Sequence, residues 1–284
     1  MFSRRRVLVG GLLAGGLAVG YGAGMLGGVL PGGTRLRREL GLTGPDGVVP
    51  DVPAATVGAQ VRYSAARGRT VNLVTMVPVS ADHTRLPVFL VLHGRSSSAQ
   101  EMVGLGLPRF LTAAVAAGAK PFALVAVDGG DSYWVARGAD DPQAMVRNEL
   151  PGWLDELGLA RPSAVLGISM GCFGALVLAR NEPLAAVALI SPALFENWPD
   201  AAARNAFADE TTWVASEPLR HVADLPPSLP IGIWCGEEDP FYPAARRFAE
   251  QAHPAVAAFE SGEHSEGYWR RVMPSVLGFL GARA

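Results

Sequence analysis

Apolar residues gather along this chain in short, unbroken blocks. Residues 86–92, 123–127, 164–168, 185–190, 231–234 and 255–259 are each continuous runs of aliphatic, aromatic and small side chains. A run of that length without alternation is what a strand buried on both faces requires. Between most of these runs lie longer stretches of helical character, at 99–117, 142–157, 170–180, 243–252 and finally 266–280. Alternation of strand and helix implies an α/β architecture, a mostly parallel sheet with helices on both faces. Ahead of it, residues 60–65 and 70–77 are β-prone runs parted by Arg67-Gly68, which predicts a leading antiparallel hairpin. One stretch departs from the pattern. Residues 192–230 contain Trp198 and Trp213, are broken by prolines, and read as an excursion over the edge of the sheet.

The first 58 residues belong to neither pattern. Ser3-Arg4-Arg5-Arg6-Val7-Leu8 sets a twin arginine before an uncharged stretch from residue 7 to residue 30, the layout of a twin-arginine export signal. A stretch of that length is also long enough to span a bilayer, so residues 1–30 are expected to act as a signal or as a membrane anchor. Residues 31–58 carry Gly, Pro and Asp without sustained periodicity and are expected to be a linker, with the catalytic domain occupying 59–284. The expected location is outside the cytoplasm or in the cell envelope, with possible membrane attachment through residues 7–30.

Composition narrows the function classes. Hydrophobic residues make up 49% of the chain, ample for one large core. With 24 basic and 26 acidic residues the net charge is −2, which lacks the cationic footprint of a nucleic-acid binder. The two cysteines, Cys172 and Cys235, form no CxxC pair and have no histidine near in sequence, so no metal site is expected. The chain-order distance between their strands predicts two free thiols. No cofactor is called for.

The chemistry sits in Gly167-Ile168-Ser169-Met170-Gly171. This GxSxG pentapeptide falls between an apolar strand and a helix, the context in which it forms a nucleophile elbow with Ser169 exposed at the carboxyl edge of the sheet. The base should lie at the same edge, because chemistry collects at the carboxyl ends of parallel strands. His264, in the loop after the run 255–259, meets that condition. His253 precedes the same run, His83 and His221 lie in a turn and in the excursion, and His93 is followed at once by Gly94, a pairing that suits an oxyanion loop better than a base. The acid should fall between serine and histidine in the chain. Gly236-Glu237-Glu238-Asp239-Pro240 offers three carboxylates, of which Asp239 is preferred and Glu237 is the runner-up. The oxyanion donors are expected to be the backbone N–H groups of Met170 and Arg95. Tyr133 and Trp134 follow the run 123–127 at the same edge, and either wall a substrate pocket or pack as an aromatic loop.

These residues resemble the esterase D group of α/β-hydrolases, which includes the actinobacterial mycolyltransferases. Asn148-Glu149-Leu150-Pro151-Gly152-Trp153-Leu154 is similar to the helix before the nucleophile strand in that group. The elbow, Gly236-Glu237-Glu238-Asp239-Pro240-Phe241 and His264-Ser265-Glu266-Gly267-Tyr268-Trp269 extend the likeness over most of residues 60–280. The resemblance implies an α/β-hydrolase fold and acyl-ester chemistry through a covalent acyl-serine. A serine esterase acting on a small-molecule or lipid ester is the expected function. The alternative is an envelope acyltransferase in which a sugar or lipid hydroxyl replaces water. His93-Gly94-Arg95 and an aspartate at 239 fall on the esterase side.

Overall fold

A computed structural model describes residues 38, 41, 43–79 and 86–283. The signal or anchor expected at residues 1–30, and His83, lie outside them. Eight strands form one sheet in the order β1-β2-β4-β3-β5-β6-β7-β8. The leading hairpin is β1 (Thr56–Ser64) and β2 (Arg69–Val77), antiparallel to each other, and β2 is antiparallel to β4 (Ala123–Val127). From β4 onward every pairing is parallel, through β3 (Val88–Leu92), β5 (Pro162–Ile168), β6 (Ala186–Ile190), β7 (Ile231–Gly236) and β8 (Val256–Glu260).

The pleat divides each central strand between two cores. Leu90 and Leu92 of β3, Val125 of β4, Val165 of β5 and Val187 of β6 face one cluster, closed by α4 (Met170–Ala179), α7 (Tyr242–Ala252) and the α3 region (residues 142–155). Phe89, Leu124, Leu166 and Ala188 face the other, closed by α1 (Ala99–Gly104), α2 (Leu107–Ala116) and α8 (Glu266–Gly281). Burial of both faces accounts for the unbroken apolar runs. The edge strand β8 is only half-covered, and its run is apolar because it is rich in alanine.

Two predicted helices are subdivided for local reasons. The stretch 99–117 breaks at Gly106, whose φ of +103° is left-handed backbone, and Pro108 then opens α2. The α3 region runs Pro142–Ala144, a π turn Met145–Glu149, then Leu150–Asp155. Pro151 brings no N–H to the helical ladder, and the widened turn ends just before the Leu150-Pro151 pair. The excursion folds into α5 (Trp198–Ala202), α6 (Glu210–Ser216) and two single 3₁₀ turns.

The domain begins earlier than residue 59. β1 starts at Thr56, and residues 43–55, expected to be linker, lie against the domain as a strap. Gly47 N–H donates to the Gly267 carbonyl at 2.8 Å, Ala55 N–H to the Pro108 carbonyl at 3.0 Å, and the Arg271 guanidinium to the Pro45 carbonyl at 2.9 Å. Arg38 pairs with the carboxylate of Glu263. These contacts reach the strap through its backbone groups, which needs no hydrophobic period in its sequence.

Candidate active site

The strand order sets the place of the site. Chain order runs from β3 to β4 on one side of β3 and then returns to β5 on its other side. At such a reversal the loops leaving two neighbouring parallel strands diverge and leave a crevice at their carboxyl ends. The loops there are His93-Gly94-Arg95 after β3 and Ser169 after β5.

Ser169 has φ 55° and ψ −118°, a conformation that costs a non-glycine residue on the order of 1–3 kcal/mol. The surroundings fix it. Ser169 N–H donates to the Ile190 carbonyl at 2.9 Å, and the Ser169 carbonyl accepts from Cys172 N–H at 3.0 Å and Ala193 N–H at 3.3 Å. A Cβ on Gly171 would overlap the Leu92 carbonyl oxygen, and one on Gly167 would stand 2.6 Å from Cys172 Cα. The sharp turn from β5 into α4 therefore admits only glycine at both places.

His264 and Asp239 reach this serine from the loops after β8 and β7. Ser169 Oγ and His264 Nε2 are 2.8 Å apart, and His264 Nδ1 lies 2.8 Å from Asp239 Oδ2. The second carboxylate oxygen, Oδ1, accepts Phe241 N–H at 2.9 Å. Asp239 is buried, whereas Glu237 is exposed and engages the His264 loop only through its backbone. Of the two carboxylates, it is Asp239 that meets the imidazole. Phe241 and Trp269 stand edge-on to the imidazole, both with ring centroids 5.4 Å away, so the ring has little room to rotate.

Met170 is the first residue of α4, where helical N–H groups have no partner within the helix. Gly94 lies against Ser169: a Cβ built on it would be 3.3 Å from Ser169 Cβ. Arg95 follows with an exposed side chain, and the turn is completed by Ser96 N–H donating to Asp131 Oδ1 at 2.6 Å. The N–H groups of Met170 and Arg95 therefore belong to the two backbone segments that flank Oγ.

The substrate-pocket reading of Tyr133 and Trp134 gives way to its alternative, a packed aromatic loop. Trp134 walls no pocket. It is fully buried, its Nε1–H donates to the His93 carbonyl at 3.2 Å, and its indole fills the space left by Gly129 and Gly174, where a Cβ would overlap it. Tyr133 is also buried, its ring packed on Phe173, Phe195 and Phe207, and desolvation raises its phenol to about 12. Phe241 and Trp269, by contrast, border the imidazole and were legible only as part of the motifs that contain them.

His93 is a structural histidine. Its Nε2 accepts Gly129 N–H at 2.8 Å, so the proton sits on Nδ1, which donates to the Gly94 carbonyl at 2.7 Å. Burial lowers its pKa and favours this neutral form. His253 caps the C-terminus of α7, and His221 pairs with Asp224. Cys172 and Cys235 are free and buried, and desolvation pushes both thiols up. Sequence reading missed Glu217, a buried carboxylate in the excursion that accepts Trp213 Nε1–H at 2.9 Å and Phe195 N–H at 3.3 Å. A lone glutamate outside any recognised motif gives no signal of burial. Among the described residues, no group of three or more His, Cys, Asp or Glu side chains converges as metal ligands would.

Comparison with known proteins bears on the family and the fold. The Esterase family model, described as "Putative esterase", matches residues 64–280. No curated protein matches the chain in sequence. Solved structures do: a ferulic acid esterase superposes with a TM-score of 0.70 at 17% identity, covering 82% of this chain and 100% of its own. An S-formylglutathione hydrolase from Agrobacterium tumefaciens gives 0.67 at 17% identity, covering 82% and 97%. The fluorophosphonate-binding serine hydrolase F of Staphylococcus aureus gives 0.64 at 18% identity, covering 81% and 99%. At such identities the likeness speaks for the shared α/β-hydrolase fold.

Proposed function

The chain belongs to the Esterase family of α/β-hydrolases, and from that premise we propose that it is a serine carboxylic-ester hydrolase acting through Ser169, His264 and Asp239. The observation that carries the reading is the continuous line of short contacts from Oγ through the imidazole to a buried carboxylate.

In the proposed reaction Ser169 Oγ attacks the ester carbonyl while His264 Nε2 takes its proton. Asp239 holds Nδ1–H and stabilises the imidazolium that forms. The N–H groups of Met170 and Arg95 receive the oxyanion. His264 then passes its proton to the leaving alcohol, an acyl-serine remains, and water activated by the same imidazole releases the acid. The His264 side chain keeps 23% of its surface open, which supports access for that water. The proposed substrate is a small-molecule or lipid ester, and the twin-arginine stretch supports a proposed site of action outside the cytoplasm or in the envelope.

Incubation with a fluorophosphonate probe should label Ser169 and no other residue, and a brief exposure to an activated ester should leave an acyl mass on the same peptide. Unlabelled native protein would refute the reading. The same activated ester offered with millimolar trehalose separates hydrolysis from transfer: free acid is the expected main product, and a dominant sugar ester would make the chain an acyltransferase.

A further inference from the structure

We infer that Arg271 and strap residues 43–47 are positioning elements for the catalytic base, together clasping the loop that carries His264. The inference rests on the serine-hydrolase reading and adds to that site a segment lying before residues 64–280, the span of the family match.

β8 is the last strand of the sheet, so the loop that follows it has a neighbouring strand end on one side only. From that side the β7 loop holds it, through Glu238 and Asp239. Arg271, in the second turn of α8, supplies a second hold. Its Nη2 donates to the Ser261 carbonyl where the loop begins, while Nη1 donates to the carbonyls of Pro45 at 2.9 Å and Thr43 at 3.4 Å. Glu260 Oε1 lies 3.2 Å from Nε, and the guanidinium carbon is 5.1 Å from the centre of the Tyr268 ring. One planar cation thus joins the histidine loop to the strap. A guanidinium suits this task because its donors diverge from a rigid fork, whereas an ammonium offers them from a single point.

The strap is shaped for the contact. A Cβ on Gly44 would overlap Arg271 Nη1, and one on Gly47 would overlap the backbone at Arg270 and Arg271. In the other direction a Cβ on Gly267 would overlap Asp46 Oδ1, and the Gly267 carbonyl accepts Gly47 N–H at 2.8 Å. These contacts bracket His264 in the chain, at Ser261 before it and from Gly267 to Arg271 after it. Trp269, which stands edge-on to the imidazole, lies inside the second group. Glu263, next to the base, is buried and pairs with Arg38. Displacing the strap would therefore loosen the loop and the ring that confines the imidazole together. A misplacement of about 1 Å at a reacting group can cost on the order of 10²-fold in rate.

The test compares full-length variants on an activated ester. Gly47→Ala wedges a methyl group between strap and α8, and Arg271→Gln removes the fork. Each should lower kcat at least tenfold and leave KM within about threefold, because the base serves acylation and deacylation alike. Arg271→Lys should recover part of the loss, and Val48→Ala, on an exposed strap residue, should change nothing. Fluorophosphonate titration separates positioning from loss of fold: labelling of Ser169 should still reach one per chain, but with a rate constant at least tenfold lower. A reduced titre at an unchanged rate constant would mean that the strap only stabilises the domain, and would overturn the inference. Unchanged kcat in the folded variants would overturn it too, with the labelled native protein keeping the hydrolase reading intact. If neither variant folds, Arg38→Gln decides, since that side chain is 65% exposed: about a threefold fall in labelling rate supports the inference and an unchanged rate overturns it. If native Ser169 is not labelled and no ester turns over, the hydrolase reading falls and takes this inference with it.

Discussion

Two regions border the same serine and are held together in different ways. The Asp239 and His264 loops are joined through backbone: Glu237 N–H donates to the Glu260 carbonyl at 2.8 Å and Glu238 N–H to the Gly262 carbonyl at 2.9 Å. Gly262 N–H in turn donates to Glu238 Oε2 at 2.6 Å. The excursion is held through side chains, centred on the buried carboxylate of Glu217 with Trp213, Phe195 and Leu219 around it. Backbone bonds survive most substitutions, whereas a side-chain hub is lost with one residue and changes with pH. The first region can therefore keep the Ser169–His264–Asp239 distances constant, while the second supplies Phe195 and Arg204 to the wall of a cavity beside Phe241.

The largest effects should come from the backbone-held side. Ser169→Ala and His264→Ala should each lower kcat by roughly 10⁴-fold or more with unchanged melting temperature, and the double variant should be scarcely worse than either. A Ser169→Ala protein with full activity would end the proposal. Asp239→Asn should follow at about 10³–10⁴-fold, because the amide favours the wrong tautomer, while Glu237→Gln should stay within about twofold. The opposite ranking in steady-state assays would return the acid to Glu237.

A smaller effect, on stability, should appear on the excursion side. Burial raises the Glu217 carboxyl to about 7 from an ordinary 4.5. The folded state then binds more protons than the unfolded state between those values, so stability should fall as pH rises from about 4.5 to 7 and level off above. A shift of this size corresponds to about 3 kcal/mol. Glu217→Gln should abolish that slope, whatever it does to the melting temperature at one pH. A slope unchanged in the variant would assign it to other groups. The smallest effect belongs to the cysteines: native protein should take up no alkylating reagent, and two equivalents after unfolding without reductant, since both thiols are free and buried.

The same division governs what could be read from the sequence. Ser169, Asp239 and His264 each follow an apolar run at its carboxyl end, so strand periodicity alone brought them to one edge. Trp134 follows such a run too, yet it points inward. Its destination depended on Gly129 and Gly174, whose missing side chains open room for the indole from two separate segments. Gly47, in the strap, meets Gly267 through one backbone bond, which leaves no trace in a hydrophobic pattern. Position along a strand is written locally, whereas complementary vacancies and backbone pairings between distant segments are not.

The seating of Trp134 bears on the timing of disorder in the catalytic cycle. The indole holds the His93 carbonyl, the His93 ring holds Gly129 N–H and the Gly94 carbonyl, and Gly94 rests on Ser169. The loop after β3 is thus locked by the core beneath it before any substrate arrives. Its freedom is removed once, when the chain folds, and need not be removed again at each turnover. In the proposed reaction, donors fixed in that way would meet a developing negative charge without first having to turn toward it, as solvent water must.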